Sequence, residues 1–182
     1  MKARNRRKSP RPLDGETLRE LALRYVGRYA TSKAKLAAYL DRKVRERGWS
    51  GEHSADVDGL VARFAGQGYV DDEAFALAKS RSLIGRGYGP ARLRQQMLAA
   101  GIGEEDSAAA RDLAEAEAAE AALRFARRRR IGPFADQAPD PAGREKALAM
   151  LIRAGHGFAL ARRIVDLPPG EEPDPEALAG PD

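Results

Sequence analysis

Cysteine is absent from this chain of 182 residues, which excludes disulfides, thiolate metal sites and a cysteine nucleophile. Aromatic residues make up only 6% of the sequence, and β-branched residues are also scarce, so little favours β-strands. No apolar run approaches the roughly 20 residues that a membrane-spanning helix needs. The basic N-terminus lacks the apolar segment of a signal peptide. We therefore expect a soluble, cytoplasmic protein that makes no contact with a membrane.

Residues suited to catalysis are also few. His53 and His156 are the only two histidines, and neither has neighbours at metal-ligand spacing. The glycines of segment 85–89 are followed by Pro90, whereas a phosphate-binding loop continues with lysine and serine or threonine. The three acids at 71–73 suit the first turn of a helix, where the helix dipole stabilises them. The sequence thus predicts no enzyme, no metal and no cofactor.

The residues that are abundant are strong helix formers: alanine, leucine, arginine and glutamate. Segment 85–102 contains a helix whose two ends are marked in the sequence. Gly89 is a possible N-cap and Pro90 fits the first helical position. Gly101 can take the left-handed conformation that ends a helix. The apolar face of this helix is predicted to consist of Leu93, Met97 and Leu98, with Ile102 folding back on the last turn.

Weaker versions of this segment occur on both sides of it, and their terminal glycines Gly48, Gly101 and Gly155 lie 53 and 54 residues apart. A fixed period of this size is typical of stacked supersecondary units. The predicted fold is all-α, an elongated curved array of three tandem three-helix repeats with disordered termini. The predicted repeats cover residues 16–68, 69–114 and 115–167.

The two ends of the chain carry opposite charges. Residues 1–12 hold six basic residues and no acid, whereas residues 166–182 hold six acids and no base. Both ends lack apolar periodicity, so we expect a basic disordered tail over 1–15 and an acidic, proline-rich disordered tail over 168–182. The body between them is basic, which would steer it toward acidic proteins and nucleic acid alike.

Two runs of sequence carry a resemblance to a known family. The first is GYVDDEAFA at 68–76, followed by Arg81; the second is GYGPARLR at 87–94, followed by Gly101 and Ile102. Together they resemble the RecX family of bacterial RecA regulators, and the likeness extends over about residues 18–167. The resemblance implies binding in the groove of the RecA filament on DNA. It also implies limits on filament growth, ATP hydrolysis, strand exchange and co-protease activity, in DNA repair, recombination and the SOS response.

Candidate partner-binding residues are basic side chains off the apolar faces. They are Lys33, Lys35, Arg81, Arg86, Arg92, Arg94, Arg127, Arg128, Arg129 and Arg130. Ordinary solvent exposure explains many such residues equally well, and Arg81 and Arg86 can instead bond helix-end carbonyls. Among the aromatic residues only Tyr88 has the setting of a base-stacking residue; we expect the others mostly in the core.

Two functions from different classes stay open at this point. The first is a non-catalytic, monomeric modulator that binds RecA and its filament. The alternative is a helical protein that binds single- or double-stranded DNA directly and acts by competing for single strands. Direct DNA binding weakens steeply with salt, by about one power of salt concentration for each phosphate contact. A generic helical scaffold, the third possibility, predicts neither effect.

Overall fold

The computed structural model describes residues 11–179, and these residues form two compact units that divide after Asp71. The predicted all-α fold is confirmed: ten α-helices and one short 3₁₀-helix account for the regular structure of residues 11–179. The only strand-like pairing in that range is a single bridge between Leu13 and Trp49. No helix among the described residues is long and apolar enough to cross a bilayer.

The first unit holds α1 (Gly15–Val26), α2 (Lys33–Arg47) and α3 (Val57–Gly66). Ser32 caps α2, accepting a hydrogen bond from the backbone N–H of Lys35 at 3.3 Å. Asp56 caps α3, accepting a hydrogen bond of 2.9 Å from the backbone N–H of Gly59. The core is built from buried leucines, valines and Phe64.

The second unit contains the other two repeats. The middle repeat consists of α4 (Asp72–Gly85), α5 (Pro90–Ala100) and α6 (Glu104–Ala116). Five of the ten buried apolar residues in its core are alanines, which lets α4 and α6 approach closely. Ser80 of α4 donates a buried hydrogen bond of 2.8 Å to the carbonyl of Ala110 on α6.

The last repeat consists of α7 (Ala118–Arg129), α8 (Pro141–Arg153) and α9 (Phe158–Asp166), followed by the short α10 (Pro175–Leu178). The 3₁₀-helix Gly132–Phe134 lies between α7 and α8. Leu151 and Ile164 are fully buried in the core of this repeat. The helices thus follow the three-helix period that the glycine spacing predicts.

The predicted ends of α5 are confirmed. Gly89 precedes Pro90 in an extended conformation, and Gly101 is left-handed with φ of 65°. Ile102 is buried and its N–H bonds the carbonyl of Met97 at 3.1 Å. The predicted apolar face is wrong at one position, because the side chain of Leu98 is 83% exposed. On α8, Ile152 has the helical spacing of an apolar face but is likewise 43% exposed.

The prediction of disordered ends is wrong for the described parts of both ends. Leu13 is fully buried and exchanges two backbone bonds of 2.9 Å with Gly48 and Ser50. At the other end Leu178 is buried against α7 and α9, and the N–H of Gly170 bonds the carbonyl of Pro133. A single leucine in a polar segment gives no periodic signal, yet each anchors its segment. The remaining residues of the two predicted tails, 1–10 and 180–182, lie outside the described range.

Candidate partner-binding surface

The segment that precedes α5 and the segment that follows α8 each contain a glycine, and the two segments meet inside the second unit. We call this contact the joint. The N–H of Gly89 donates to the carbonyl of Ala154 at 3.0 Å, and the N–H of Ala91 donates to the carbonyl of Gly155 at 3.1 Å. Helix ends leave such backbone groups without partners in their own helix. The start of α5 and the end of α8 therefore cap each other. A methyl group on Gly89 would overlap the carbonyl oxygen of Gly155, so this approach requires glycine.

The side chain of His156 also stabilises this joint. Its side chain is buried, and its Nε2 lies 3.0 Å from the carbonyl oxygen of Gly87. A carbonyl only accepts hydrogen bonds, so Nε2 carries the proton. Burial lowers the pKa of His156, and the bond to Gly87 opposes this in part. The ring is therefore a neutral structural group at neutral pH.

Tyr88 is half-buried at this joint and packs against two cores, with two arginines beside its ring. The guanidinium carbons of Arg86 and Arg92 lie 5.3 and 5.8 Å from the centroid of its ring, within the range of cation–π attraction. Arg86 also donates from Nε to the carbonyl of Ser82 at 3.3 Å, which confirms the predicted bond to a helix-end carbonyl. The hinge before α5 thus presents an aromatic ring flanked by two positive charges.

The third repeat adds three more arginines to this surface. Arg129 and Arg153 line a cavity of about 290 Å³ together with Tyr88 and Phe125. A guanidinium nitrogen of Arg128 lies next to Gly87. It would be 3.0 Å from the Cβ of a larger residue at that position. We call this surface the Tyr88 cluster; it consists of Tyr88, Arg86, Arg92, Arg128, Arg129 and Arg153.

The charge of the Tyr88 cluster is not neutralised within the described chain. None of its five arginines forms an ion pair with an acid in residues 11–179, whereas nearby arginines do. Arg94 pairs with Glu115 at 3.2 Å and Arg130 pairs with Asp136 at 3.0 Å. Five like charges at one joint favour an external anionic group.

The predicted contact residues thus fall into different surroundings. Arg86, Arg92, Arg128 and Arg129 come together, while Arg94 and Arg130 are held by acids. Arg127 stacks over Phe134 at 4.7 Å. The others are placed elsewhere: Arg81 is exposed on α4, and Lys33 and Lys35 lie in the first turn of α2.

Arg153 was missed by the sequence analysis. Its position two residues before Gly155 was the available signal, but the sequence does not show that Gly155 meets Gly89. The expectation that aromatic residues other than Tyr88 lie mostly in the core is also wrong at three positions. Tyr29 and Tyr69 are each 52% exposed and Phe158 is 57% exposed.

The chain is similar in sequence to known proteins. A family model described as "RecX, second three-helix domain" matches residues 71–110. The regulatory protein RecX of Myxococcus xanthus is 35% identical over 173 residues, covering 89% of this chain and 91% of that protein. The chain belongs to the RecX family. A RecX of Thermus thermophilus is 32% identical over 139 residues, covering 76% of the chain and 82% of that relative.

The RecX fold is found among solved structures as well. A crystal structure of a regulatory protein RecX matches with a TM-score of 0.60 at 23% identity. The match covers 82% of this chain and 70% of that one. The RecX relatives named here are all regulatory proteins, and the middle repeat matched by the family model carries Tyr88, Arg86 and Arg92.

Proposed function

We propose that this RecX-family chain regulates the RecA recombinase by binding RecA and its filament on DNA. It acts mainly as an inhibitor of the ATPase, recombinase and co-protease activities. It works in the cytoplasm, in DNA repair and recombination, and catalyses no reaction itself; the nucleotide chemistry belongs to RecA. The observation that carries the proposal is the Tyr88 cluster, whose five arginines lack acidic partners among the described residues.

The chemistry of the cluster suits a filament of protein and DNA. Guanidinium groups bind carboxylates and phosphates in a bidentate manner, and both groups occur on such a filament. The joint that carries the cluster is held by backbone bonds and by His156, so its arginines are presented from a fixed frame. Preorganisation of this kind lowers the entropy cost of binding.

The test adds the full chain to RecA filaments formed beforehand on single-stranded DNA and follows ATP hydrolysis and filament length. The wild-type chain should lower both at stoichiometric amounts. Arg92→Gln should weaken the inhibition roughly tenfold, as loss of an anchoring arginine commonly does. The matched control is Arg94→Gln, which makes the same change on the same helix. It removes only an exposed ion pair with Glu115, which contributes under about 1 kcal/mol to stability.

Equal inhibition by the Arg92 and Arg94 variants would remove the Tyr88 cluster from the binding surface. An absence of any effect by the wild-type chain on the filaments would refute the proposed function as a whole. The alternative, competition for single-stranded DNA, predicts equally tight binding to naked DNA at the same salt. It also predicts that adding excess single strands relieves the inhibition.

A further inference from the structure

The first unit carries an aromatic groove that the proposed function does not use. The groove has a volume of about 530 Å³ and lies between α1 and α2. We call it the tyrosine groove; its lining consists of Leu21, Arg24, Tyr25, Arg28, Tyr29, Tyr39, Arg42 and Lys43. Three aromatic rings and four basic side chains thus share one small surface.

The three rings are arranged from buried to exposed. Tyr25 and Tyr39 stack with their centroids 4.1 Å apart and their planes at 16°. Tyr29 leans on Tyr25 at 5.3 Å and 52°. The first two are half-buried, whereas Tyr29 is 52% exposed. The stacked pair therefore supports an outer ring that is open to a ligand.

The basic side chains surround these rings. Arg42 and Lys43 lie 5.6 and 5.9 Å from the centroid of Tyr39. Both also reach Glu46, Lys43 at 2.6 Å and Arg42 at 3.6 Å.

The other two basic residues come from α1 and the turn after it. Arg24 pairs with Glu20 at 3.2 Å, while Arg28 forms no ion pair with any described acid. The side chains of these ion pairs are 28% to 76% exposed, so the pairs are weak and can be exchanged for a phosphate. The four cations outnumber these two acids, and the groove keeps a positive charge.

We propose that the tyrosine groove binds unpaired nucleotides of single-stranded DNA. A base stacks on Tyr29, and the flanking phosphates contact Arg28 and the Arg42–Lys43 pair. Exposed aromatic rings beside basic side chains are the arrangement with which proteins bind single strands without sequence preference. Duplex DNA keeps its base faces stacked inside the helix, so it would engage only the cations. An acidic peptide would likewise leave Tyr29 unused.

The test measures fluorescence anisotropy of a short labelled oligothymidylate with the full chain, in the absence of RecA. Tyr29→Ala should weaken binding about 5- to 100-fold, and Tyr29→Phe should restore most of it because the ring is kept. Tyr69→Ala is a matched control: it removes a tyrosine of the same unit with the same 52% exposure. Tyr69 packs on Phe64, away from the groove lining. Circular dichroism checks that each variant keeps its helices.

A second variant tests the phosphate contact. Arg28→Gln should reduce the slope of log affinity against log salt by about 0.7, the value for one contact to a single strand. Tyr29→Ala should leave this slope unchanged. The contribution of one charge is thereby separated from that of one ring in the same assay.

Several results would overturn the proposal. They are no oligothymidylate binding by the wild-type chain at low salt, full affinity of Tyr29→Ala, and an equal loss with Tyr69→Ala. Equal weakening of duplex binding by Tyr29→Ala would show that no unpaired base is read. Competition by polyglutamate as strong as that by the oligonucleotide would point to a peptide ligand. The assay contains no RecA, so its failure and the failure of the filament experiment are distinguishable.

Discussion

Replacing Leu93 by alanine tests which face of α5 packs into the second unit. Leu93 is 1% exposed, and truncating such a leucine costs about 3 kcal/mol through lost burial and the cavity left behind. Unfolding entropy is about 2.1 cal/mol/K per residue, which for the unit 72–182 converts this cost into a fall in Tm of about 13 °C. Thermal denaturation followed by circular dichroism measures the shift.

The same helix supplies the control for this experiment. Leu98 is 83% exposed, so Leu98→Ala should change stability by no more than about 0.5 kcal/mol. Both variants remove the same atoms from α5, and they differ only in where those atoms lie. A fall in Tm of similar size for both variants would refute the orientation of α5 described above.

Three further predictions concern the second unit. Gly89→Ala should cost at least about 2 kcal/mol in urea unfolding because its methyl group meets the carbonyl of Gly155. The control is Gly103→Ala, at an N-cap glycine with open space around it, which should cost less than about 1 kcal/mol. Equal costs for the two variants would contradict the close approach of Gly89 to Gly155. Burial lowers the pKa of His156, so the unfolded chain binds more protons, and the free energy of unfolding should fall as the pH drops through 6.5 toward the folded pKa. Urea titrations at several pH values should show a smaller fall in His156→Asn. The same pH profile in both proteins would refute this role of His156. Leu178→Ala should lower the free energy of unfolding by about 2 kcal/mol and speed proteolysis within 168–179, whereas an unaltered cleavage rate would show that Leu178 does not anchor the segment.

The start and end of α5 could be predicted from sequence because their signals are local. An extended glycine before Pro90 and a left-handed glycine followed by Ile102 depend on backbone geometry within a few residues. The repeat was predictable for a similar reason, since glycine spacing records it along the chain. Leu98 was assigned wrongly because helical spacing defines a face, while only the neighbouring helices define how wide its buried part is.

The candidate surfaces could be predicted only in part. Arg86 and Arg92 flank Tyr88 within a few residues, so the sequence placed them together. Arg153 joins them only because two segments more than sixty residues apart make backbone contact, and no local pattern records such a contact. The tyrosine groove was missed for the same physical reason, because Tyr25 and Tyr39 lie on different helices that stack only after folding.

The mutual capping of α5 and α8 has a consequence for how the chain completes its fold during synthesis. The ribosome releases α5 well before Gly155. Until the last repeat is made, the backbone N–H groups at the start of α5 lack the carbonyl acceptors of Ala154 and Gly155. A nascent chain halted at residue 110, where the matched family domain ends, therefore lacks part of what holds its own central helix. In this protein the recognisable sequence domain ends before the helix that caps its own α5.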